Sequence, residues 1–282
     1  MSLLLKYLAI KKVDAGSGSD IAVLSNIMEG VDGAAVFGFE VEQESVQIED
    51  MQTLDHSATG TLDVRVLYNE PTKGLLDGLI GERVEVSGLG IDGFILWDEP
   101  PIFSRVHDYN SAILNDHITT TVKSVRGYAG GSQRFYGGRN AMSLYDTSTG
   151  SADLLNGFEL LPAGAVVSRT DNEQEITTEG AGEGIRSKFF FMPFVGERLH
   201  ASVDVVVASA FVLTIAFYDY DKEYQSQVST PLNTTGRKGV DGVIPAGTAY
   251  VAIHVNTSSA EEDTMTFKEP VLTTNPHTSY II

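Results

Sequence analysis

The sequence predicts an all-β protein of two β-sandwich or barrel-like domains joined by a glycine-rich linker. Three observations support this prediction: many segments alternate apolar and polar residues, long helical patterns are absent, and 28 glycines stand beside abundant Ser and Thr. The 282 residues exceed the usual size of a single domain. We therefore expect one domain at 1–128, a linker at 129–139 and a second domain at 140–282.

The first predicted elements are a strand at residues 3–13 and an ambiguous segment at 21–33. Apolar residues in the second segment have helical spacing, which favours a short helix, and a pair of short strands is the alternative. Lysines interrupt the apolar N-terminus, which is too short for a membrane span and lacks the pattern of a signal peptide. We expect no membrane insertion.

The clearest strand pattern in the first half covers residues 35–50. Its apolar residues occupy alternate positions, and Glu40, Glu42 and Glu44 occupy the positions between them. The alternation then changes phase, which predicts a β-bulge near Ser45. Like charges on one strand face repel, so this face requires water or cations. It is either a solvated face or a wall that lines a channel or contacts a basic partner.

The remaining patterns of the first half predict five elements. We expect a strand at 60–68, a short helix at 71–81, a hairpin at 82–97, a loop at 107–116 and a strand at 117–128. Glycines then dominate the predicted linker, which makes it the best domain boundary in the chain.

The formal charge is −19, from 19 basic and 38 acidic residues. Binding nucleic acid places Lys and Arg against phosphates, so a nucleic-acid-binding surface is not expected. An acidic wall would instead let DNA pass without sticking, and solubility and a saline habitat are the alternative explanations for the charge. The chain has no cysteine, which excludes disulfides and cysteine-based zinc sites.

Catalytic and metal-binding motifs are not evident. The six histidines are scattered singly, outside any GxSxG or HExxH pattern, and His254 alternates with apolar residues on what we expect to be a polar strand face. Glu261, Glu262 and Asp263 could ligate calcium, but a solvated loop is the favoured interpretation. We predict no catalytic residue, no metal and no cofactor.

Three tyrosines near the end of a strong strand pattern are candidate glycan-binding residues. Tyr218, Tyr220 and Tyr224 could form a platform on which sugars stack, and parity puts Tyr218 and Tyr220 on one strand face. Ordinary packing at the edge of a sandwich is the alternative. In the same region we expect a buried core made of Ile215, Phe217, Val251, Ile253 and Phe267.

Three segments in the second half occur in a suggestive order: IAFYDYDKEY (215–224), VIPAGTAYVAIHV (243–255) and FKEPVLTTNPHTSY (267–280). With them, the second domain resembles the carbohydrate-binding-module-like β-sandwiches attached to tailed-phage virion proteins. The resemblance implies a strand entering a YD turn, a Pro-Ala-Gly turn before a core strand, and a final strand. The first domain resembles the β domains of tail tube and distal tail proteins in its size, all-β pattern and acidic strand, which implies stacked rings.

We therefore expect a structural protein of a tailed-phage tail, located in the virion. It would form a homo-oligomeric ring or tube, contact other tail proteins and let DNA pass, with Glu40, Glu42 and Glu44 lining an acidic lumen. Tail tube, distal tail and baseplate roles stay open. The alternative is a glycan-binding adhesion protein that engages a host surface glycan through the C-terminal sandwich. A polysaccharide-cleaving enzyme has the least support.

Overall fold

The computed structural model describes residues 5–13, 22–25, 39–48, 57–68, 82–90, 94–97, 102–105, 110–114, 117–128, 134–138, 142 and 153–274. Every regular element within these ranges is a β-strand, so the chain is all-β, as the sequence predicts. The chain divides into two compact units, Met1–Gly138 and Arg139–Ile282.

The first unit contains one ten-stranded sheet. Its strands are β1 (Leu5–Lys12), β2 (Ala22–Ser25), β3 (Phe39–Ile48), β4 (Ser57–Tyr68), β5 (Val84–Gly90), β6 (Phe94–Trp97), β7 (Ile102–Arg105), β8 (Asn110–Leu114), β9 (His117–Tyr128) and β10 (Arg134–Gly138). The main path has the order β2-β1-β5-β6-β10-β4-β9-β7, while β3 pairs with β4 and β8 pairs with β9. The described pairings in this sheet are antiparallel.

The predicted bulge in β3 is confirmed. Gln43 lies opposite Leu62 and Ser45 lies opposite Thr61, so Glu44 is the extra residue. An extra residue in one strand reverses the alternation beyond it. This explains why the apolar positions of the sequence pattern change phase at this point.

Residues 107–116, which the sequence predicts as a loop, contain the strand β8, so that prediction is wrong. β8 pairs with β9, and Leu114 lies opposite His117. Only Asn115 and Asp116 separate this pair in the sequence, and residues of these types favour hairpin turns. Pairing with β9 thus outweighs the weak strand propensity of Asn110 and Ser111.

Two other segments of the first unit bear on the predictions. Arg134–Gly138, which falls in the predicted linker, is the strand β10 between β4 and β6. Ala22–Ser25 is a strand, which agrees with the second interpretation of residues 21–33. The predicted helix at 71–81 lies outside the described residues.

The second unit contains a six-stranded and a five-stranded sheet. Its strands are β11 (Phe158–Leu160), β12 (Val166–Thr170), β13 (Glu173–Thr178), β14 (Gly184–Ser187), β15 (Phe190–Phe191), β16 (Arg198–Val207), β17 (Phe211–Tyr218), β18 (Tyr224–Pro231), β19 (Gly236–Val243), β20 (Tyr250–Thr257) and β21 (Asp263–Thr273). The six-stranded sheet has the order β11-β14-β20-β17-β18, with β15 on β20, and the five-stranded sheet has the order β12-β13-β21-β16-β19.

These two sheets pack face to face around an apolar core. Phe158 and Phe267, from opposite sheets, meet edge to face with their ring centroids 6.1 Å apart. At Gly242 of β19, an added Cβ would lie 2.9 Å from Cγ2 of Val228 and 3.1 Å from Cζ of Phe217. Glycine therefore lets β19 approach the six-stranded sheet closely, and Phe217 marks the inner face of that sheet.

The predicted core of the second unit is confirmed. The five residues concerned are no more than 2% exposed: Ile215, Phe217, Val251, Ile253 and Phe267. These residues occupy inward-facing positions of strands rich in β-branched and aromatic residues, so their side chains pack between the two sheets.

Candidate functional site

The candidate site is the outer face of the six-stranded sheet, which points away from the five-stranded sheet. Side chains alternate along a strand, so Phe217 on the inner face puts Tyr218, Ala216 and Thr214 on the outer face. Strand register adds outer-face neighbours from the other strands: Tyr250, Ala252 and His254 of β20, Arg186 of β14, Glu159 of β11, and Tyr224, Gln227 and Ser229 of β18.

Two aromatic side chains bridge the middle of this outer face. The hydroxyl oxygen of Tyr218 lies 2.8 Å from Nε2 of His254. In the register, the Ala216–Ala252 pair separates the pair containing Tyr218 from the pair containing His254. The two side chains therefore lean toward each other above these alanines, which are both fully buried. Small residues at the centre of the sheet leave room for the bridge.

Burial sets the ionisation of both residues in this bridge. Burial, with a smaller contribution from the Arg186 charge, lowers the pKa of His254 from 6.5 to about 4. Burial also raises the pKa of the Tyr218 hydroxyl, partly offset by a hydrogen bond from Arg186. Both groups are therefore neutral at neutral pH. The hydrogen bond therefore joins a neutral hydroxyl to a neutral imidazole, and the tautomer of His254 decides which of the two donates.

Arg186 connects this bridge to the edge of the sheet. Its Nε donates to Oε1 of Glu159 over 2.6 Å, and its guanidinium carbon stands 4.5 Å from the centroid of the Phe189 ring. Phe189 in turn packs edge to face on Tyr218, with the ring centroids 4.8 Å apart. A polar chain thus runs from Glu159 through Arg186 and Tyr218 to His254, with Phe189 packed against it.

The turn between β17 and β18 places a second cation at the same rings. Oδ1 of Asp219 accepts hydrogen bonds from two backbone N–H groups inside the turn, each at 2.9 Å. Lys222 has a φ of 62°, a left-handed conformation that non-glycine residues adopt uncommonly. Its Nζ stands 5.0 Å from the centroid of Tyr250 and 5.4 Å from that of Phe189. These are cation–π distances.

Tyr224 and the polar residues of β18 form the exposed rim of the site. Tyr224 is 56% exposed, and its ring centroid lies 6.0 Å from that of the buried Tyr218. Nε2 of Gln225 donates to a backbone carbonyl across 3.2 Å, while Gln227 and Ser229 are exposed. An accessible aromatic ring therefore stands beside amides and hydroxyls on a strand at the sheet edge.

The three tyrosines predicted as a sugar platform have different environments. Tyr218 is 5% exposed, so it packs beneath the surface rather than presenting its ring. Tyr220 follows the end of β17 and is half-buried in the turn, so the predicted sharing of a strand face does not apply. Tyr224 presents an exposed ring.

The expectation that His254 lies on the polar face of its strand is confirmed, since the register places it beside Arg186 and Thr214 on the outer face. His254 is buried because Tyr218 leans over the outer face of β20 and bonds to it. Sequence reasoning also missed Phe189, Arg186 and Lys222. The available signal for Phe189 was the run of three phenylalanines at 189–191. Neighbouring side chains of an extended segment point to opposite sides, so at least one ring of the run faces away from the core.

The three glutamates predicted to line a channel belong to β3 of the first unit. In the register of β3, Glu40 is opposite Arg65, Glu42 is opposite Asp63, and Glu44 is the bulge residue.

Of the three carboxylates considered for calcium, Asp263 is engaged in hydrogen bonds within the protein. Asp263 accepts hydrogen bonds from the Ser209 hydroxyl and from the backbone N–H of Ala210, the latter at 2.8 Å. No cluster of three or more potential metal ligands occurs among the residues that the structure describes. In the same ranges, no helix has the length and hydropathy needed to cross a membrane.

No protein-family model matches the sequence, and no curated protein matches it. Solved structures similar to this chain include the enzymatically active domain of tailspike protein 4 from bacteriophage CBA120, at 9% identity and a TM-score of 0.34. They also include the CBM22-1 xylan-binding domain from Paenibacillus barcinonensis, at 12% identity and a TM-score of 0.32. A third is a family 29 carbohydrate binding module, at 15% identity and a TM-score of 0.34.

These similarities cover less than half of this chain. The match to the tailspike domain covers 45% of this chain and 21% of that chain. The match to the xylan-binding domain covers 45% of this chain and 89% of that domain, and the match to the family 29 module covers 48% of this chain and 96% of that module. The chain thus spans about a fifth of the length of the tailspike domain.

Proposed function

We propose that the second unit binds glycans on the outer face of its six-stranded sheet. The observation that carries the proposal is the exposed ring of Tyr224, which packs against the buried Tyr218 and stands beside the polar residues of β18. A tyrosine ring offers a flat apolar surface to the C–H face of a sugar and loses little conformational entropy on binding. The amides of Gln225 and Gln227 supply donors and acceptors for sugar hydroxyls.

The support beneath Tyr224 is rigid, which favours binding. Tyr218 is fixed by its bond to His254, and Phe189 packs against Tyr218 from the neighbouring segment. A ring that is already held in place does not have to be ordered when the ligand arrives.

We propose binding without hydrolysis. Glycoside hydrolysis commonly requires two carboxyl groups that flank the scissile bond, one of them as an acid. On the described outer face, Glu159 is bonded to Arg186 at 2.6 Å, and Asp219 accepts backbone N–H groups of its own turn. These two carboxylates are committed to structural partners, and the turn carries two further carboxylates, Asp221 and Glu223, which are exposed.

Calorimetric titration of the purified protein with a panel of oligosaccharides tests the proposal. Tyr224→Ala should weaken binding about tenfold or more, because a central aromatic contact is lost, whereas Tyr224→Phe keeps the ring and should bind nearly as well. Val243→Ala is the matched control, because Val243 is 51% exposed on the five-stranded sheet. A protein that binds no member of the panel, or variants that bind alike, would contradict the proposal. Release of reducing sugar would contradict the non-catalytic part.

For the first unit we also propose a ring-forming role in a phage tail. It is supported by the acidic run, since the sequence has no Lys or Arg between Lys12 and Arg65, and by the register, which opposes Glu42 to Asp63. Opposed like charges are destabilising, and a water-filled lumen with counterions would relieve them. Negative-stain images should show rings or tubes. A protein that stays monomeric at high concentration would contradict this role.

A further inference from the structure

We infer that the site takes an acidic glycan, with the carboxylate of a sugar ring directed at Lys222. This inference rests on the proposed glycan-binding function and adds the chemical class of the ligand. It comes from the charges around the aromatic rings that support Tyr224.

Two cations converge on the Phe189 ring, and their surroundings differ. The guanidinium of Arg186 forms an ion pair with Glu159 at 2.6 Å, so its charge is compensated within the protein. The ammonium of Lys222 contacts the rings of Phe189 and Tyr250. Within the described parts of the chain, no carboxylate forms an ion pair with it. Lys222 is therefore the cation that is available to a ligand.

The conformation of the turn keeps this ammonium at the site. Asp219 accepts two backbone N–H groups and thereby fixes the turn. Lys222 adopts its left-handed φ of 62° within that turn, and its ammonium then lies over the rings. Cation–π contacts hold a cation without neutralising its charge. The chain has 38 acidic and 19 basic residues, and Lys222 lies between the exposed Asp221 and Glu223, so its ammonium is a positive group within an acidic turn.

Lys222 and Tyr224 are connected through the rings on which they rest. Tyr218 contacts Phe189 at 4.8 Å and Tyr224 at 6.0 Å between ring centroids, so the ring below Lys222 and the exposed ring share one support. In the proposed complex, one sugar unit stacks on Tyr224 and a carboxylate of the same oligosaccharide reaches the ammonium of Lys222. A carboxylate there forms a charge-assisted hydrogen bond, which a neutral hydroxymethyl group cannot do.

Calorimetric titration with paired oligosaccharides tests the inference: oligogalacturonate against its neutral methyl ester, and hyaluronate, alginate and xylan oligomers for breadth. The acidic member of the pair should bind about tenfold more tightly, and the preference should shrink as salt is added. Lys222→Gln should abolish the preference, and Lys222→Arg should keep most of it. Lys268→Gln removes the same charge from the five-stranded sheet, where Lys268 pairs with Glu173, and should keep the preference in full.

The outcomes separate the two proposals. Equal binding of the acidic and neutral ligands, unchanged by Lys222→Gln, overturns the acidic assignment and leaves glycan binding intact. A preference that Lys268→Gln removes as effectively also overturns the assignment to Lys222. The absence of binding to every oligosaccharide overturns the proposed function, and the acidic assignment with it.

Discussion

Gly184 lies directly against the backbone carbonyl of Val255. A Cβ added at Gly184 would stand 2.3 Å from that oxygen and 2.6 Å from Cα of Asn256. The φ of Gly184 is 152°, which also disfavours any side chain. β14 can therefore dock on β20 only with glycine at this position. Because β14 carries Arg186, this contact also positions the polar chain of the outer face.

Gly184→Ala should destabilise the second unit by about 3 kcal/mol or more, because steric overlap adds to backbone strain. Gly164→Ala is the matched control: its φ is 92°, but an added Cβ would have no atom within 4 Å. Strain alone should cost the control about 1 kcal/mol. Urea denaturation of both variants measures the difference. Equal losses in the two variants would show that the close approach to Val255 is not the cause.

Gln174 ties the start of the second unit to the sandwich. Its side chain is fully buried. Oε1 accepts the N–H of Leu155 at 2.8 Å, and Nε2 donates to the carbonyls of Asp153 at 3.0 Å and Ser168 at 2.9 Å. Gln174→Leu has a similar volume but leaves these backbone groups unpaired, so we expect a loss of about 2–3 kcal/mol.

The measurement for Gln174→Leu combines denaturation with hydrogen exchange of the Leu155 amide, which should accelerate. Gln225→Leu is the control, because Gln225 is an exposed amide that also bonds a backbone carbonyl and should cost well under about 1 kcal/mol. If both variants lose the same stability, burial of the Gln174 amide is not what matters.

The inner face of the sandwich could be predicted because local alternation reports burial. Ile215, Phe217 and Ile253 occupy alternate positions of strong strands, and each faces the opposing sheet. The bulge in β3 was visible for the same reason, as a change of phase in a local pattern. Such signals require only a few neighbouring residues.

The outer face could not be predicted in this way. Arg186 meets His254 through strand pairing between segments far apart in the sequence, and no local pattern encodes that register. His254 alternates with apolar residues along the chain, which predicts its strand face but not its burial. It is buried by Tyr218, a side chain from another strand. The parity argument for Tyr220 failed because β17 ends at Tyr218 and Asp219 starts a turn.

Phe217→Ala should cost about 3–5 kcal/mol, because a fully packed aromatic side chain leaves a cavity that the core fills only partly. Phe217 is 2% exposed and contacts the position of Gly242 across the sandwich. Tyr224→Ala is the comparison, since Tyr224 is 56% exposed, and its stability should change by less than about 1 kcal/mol. Thermal unfolding measures both. A small shift for Phe217→Ala would mean that the core assignment is wrong.

His254 should make stability depend on pH. Its pKa is about 4 in the folded protein and 6.5 as the ordinary value, so between these values the unfolded chain binds a proton that the folded chain excludes. The free energy of unfolding should therefore fall as pH falls from about 6.5 towards 4, by up to about 3 kcal/mol, and this contribution should be constant above pH 6.5. His254→Gln keeps an amide that can hydrogen-bond with the Tyr218 hydroxyl and removes the titration. Urea denaturation across this range, taken as the difference between wild type and variant, isolates His254 from the carboxylates that titrate in both. A difference that does not change with pH would refute the burial of a neutral imidazole at this position.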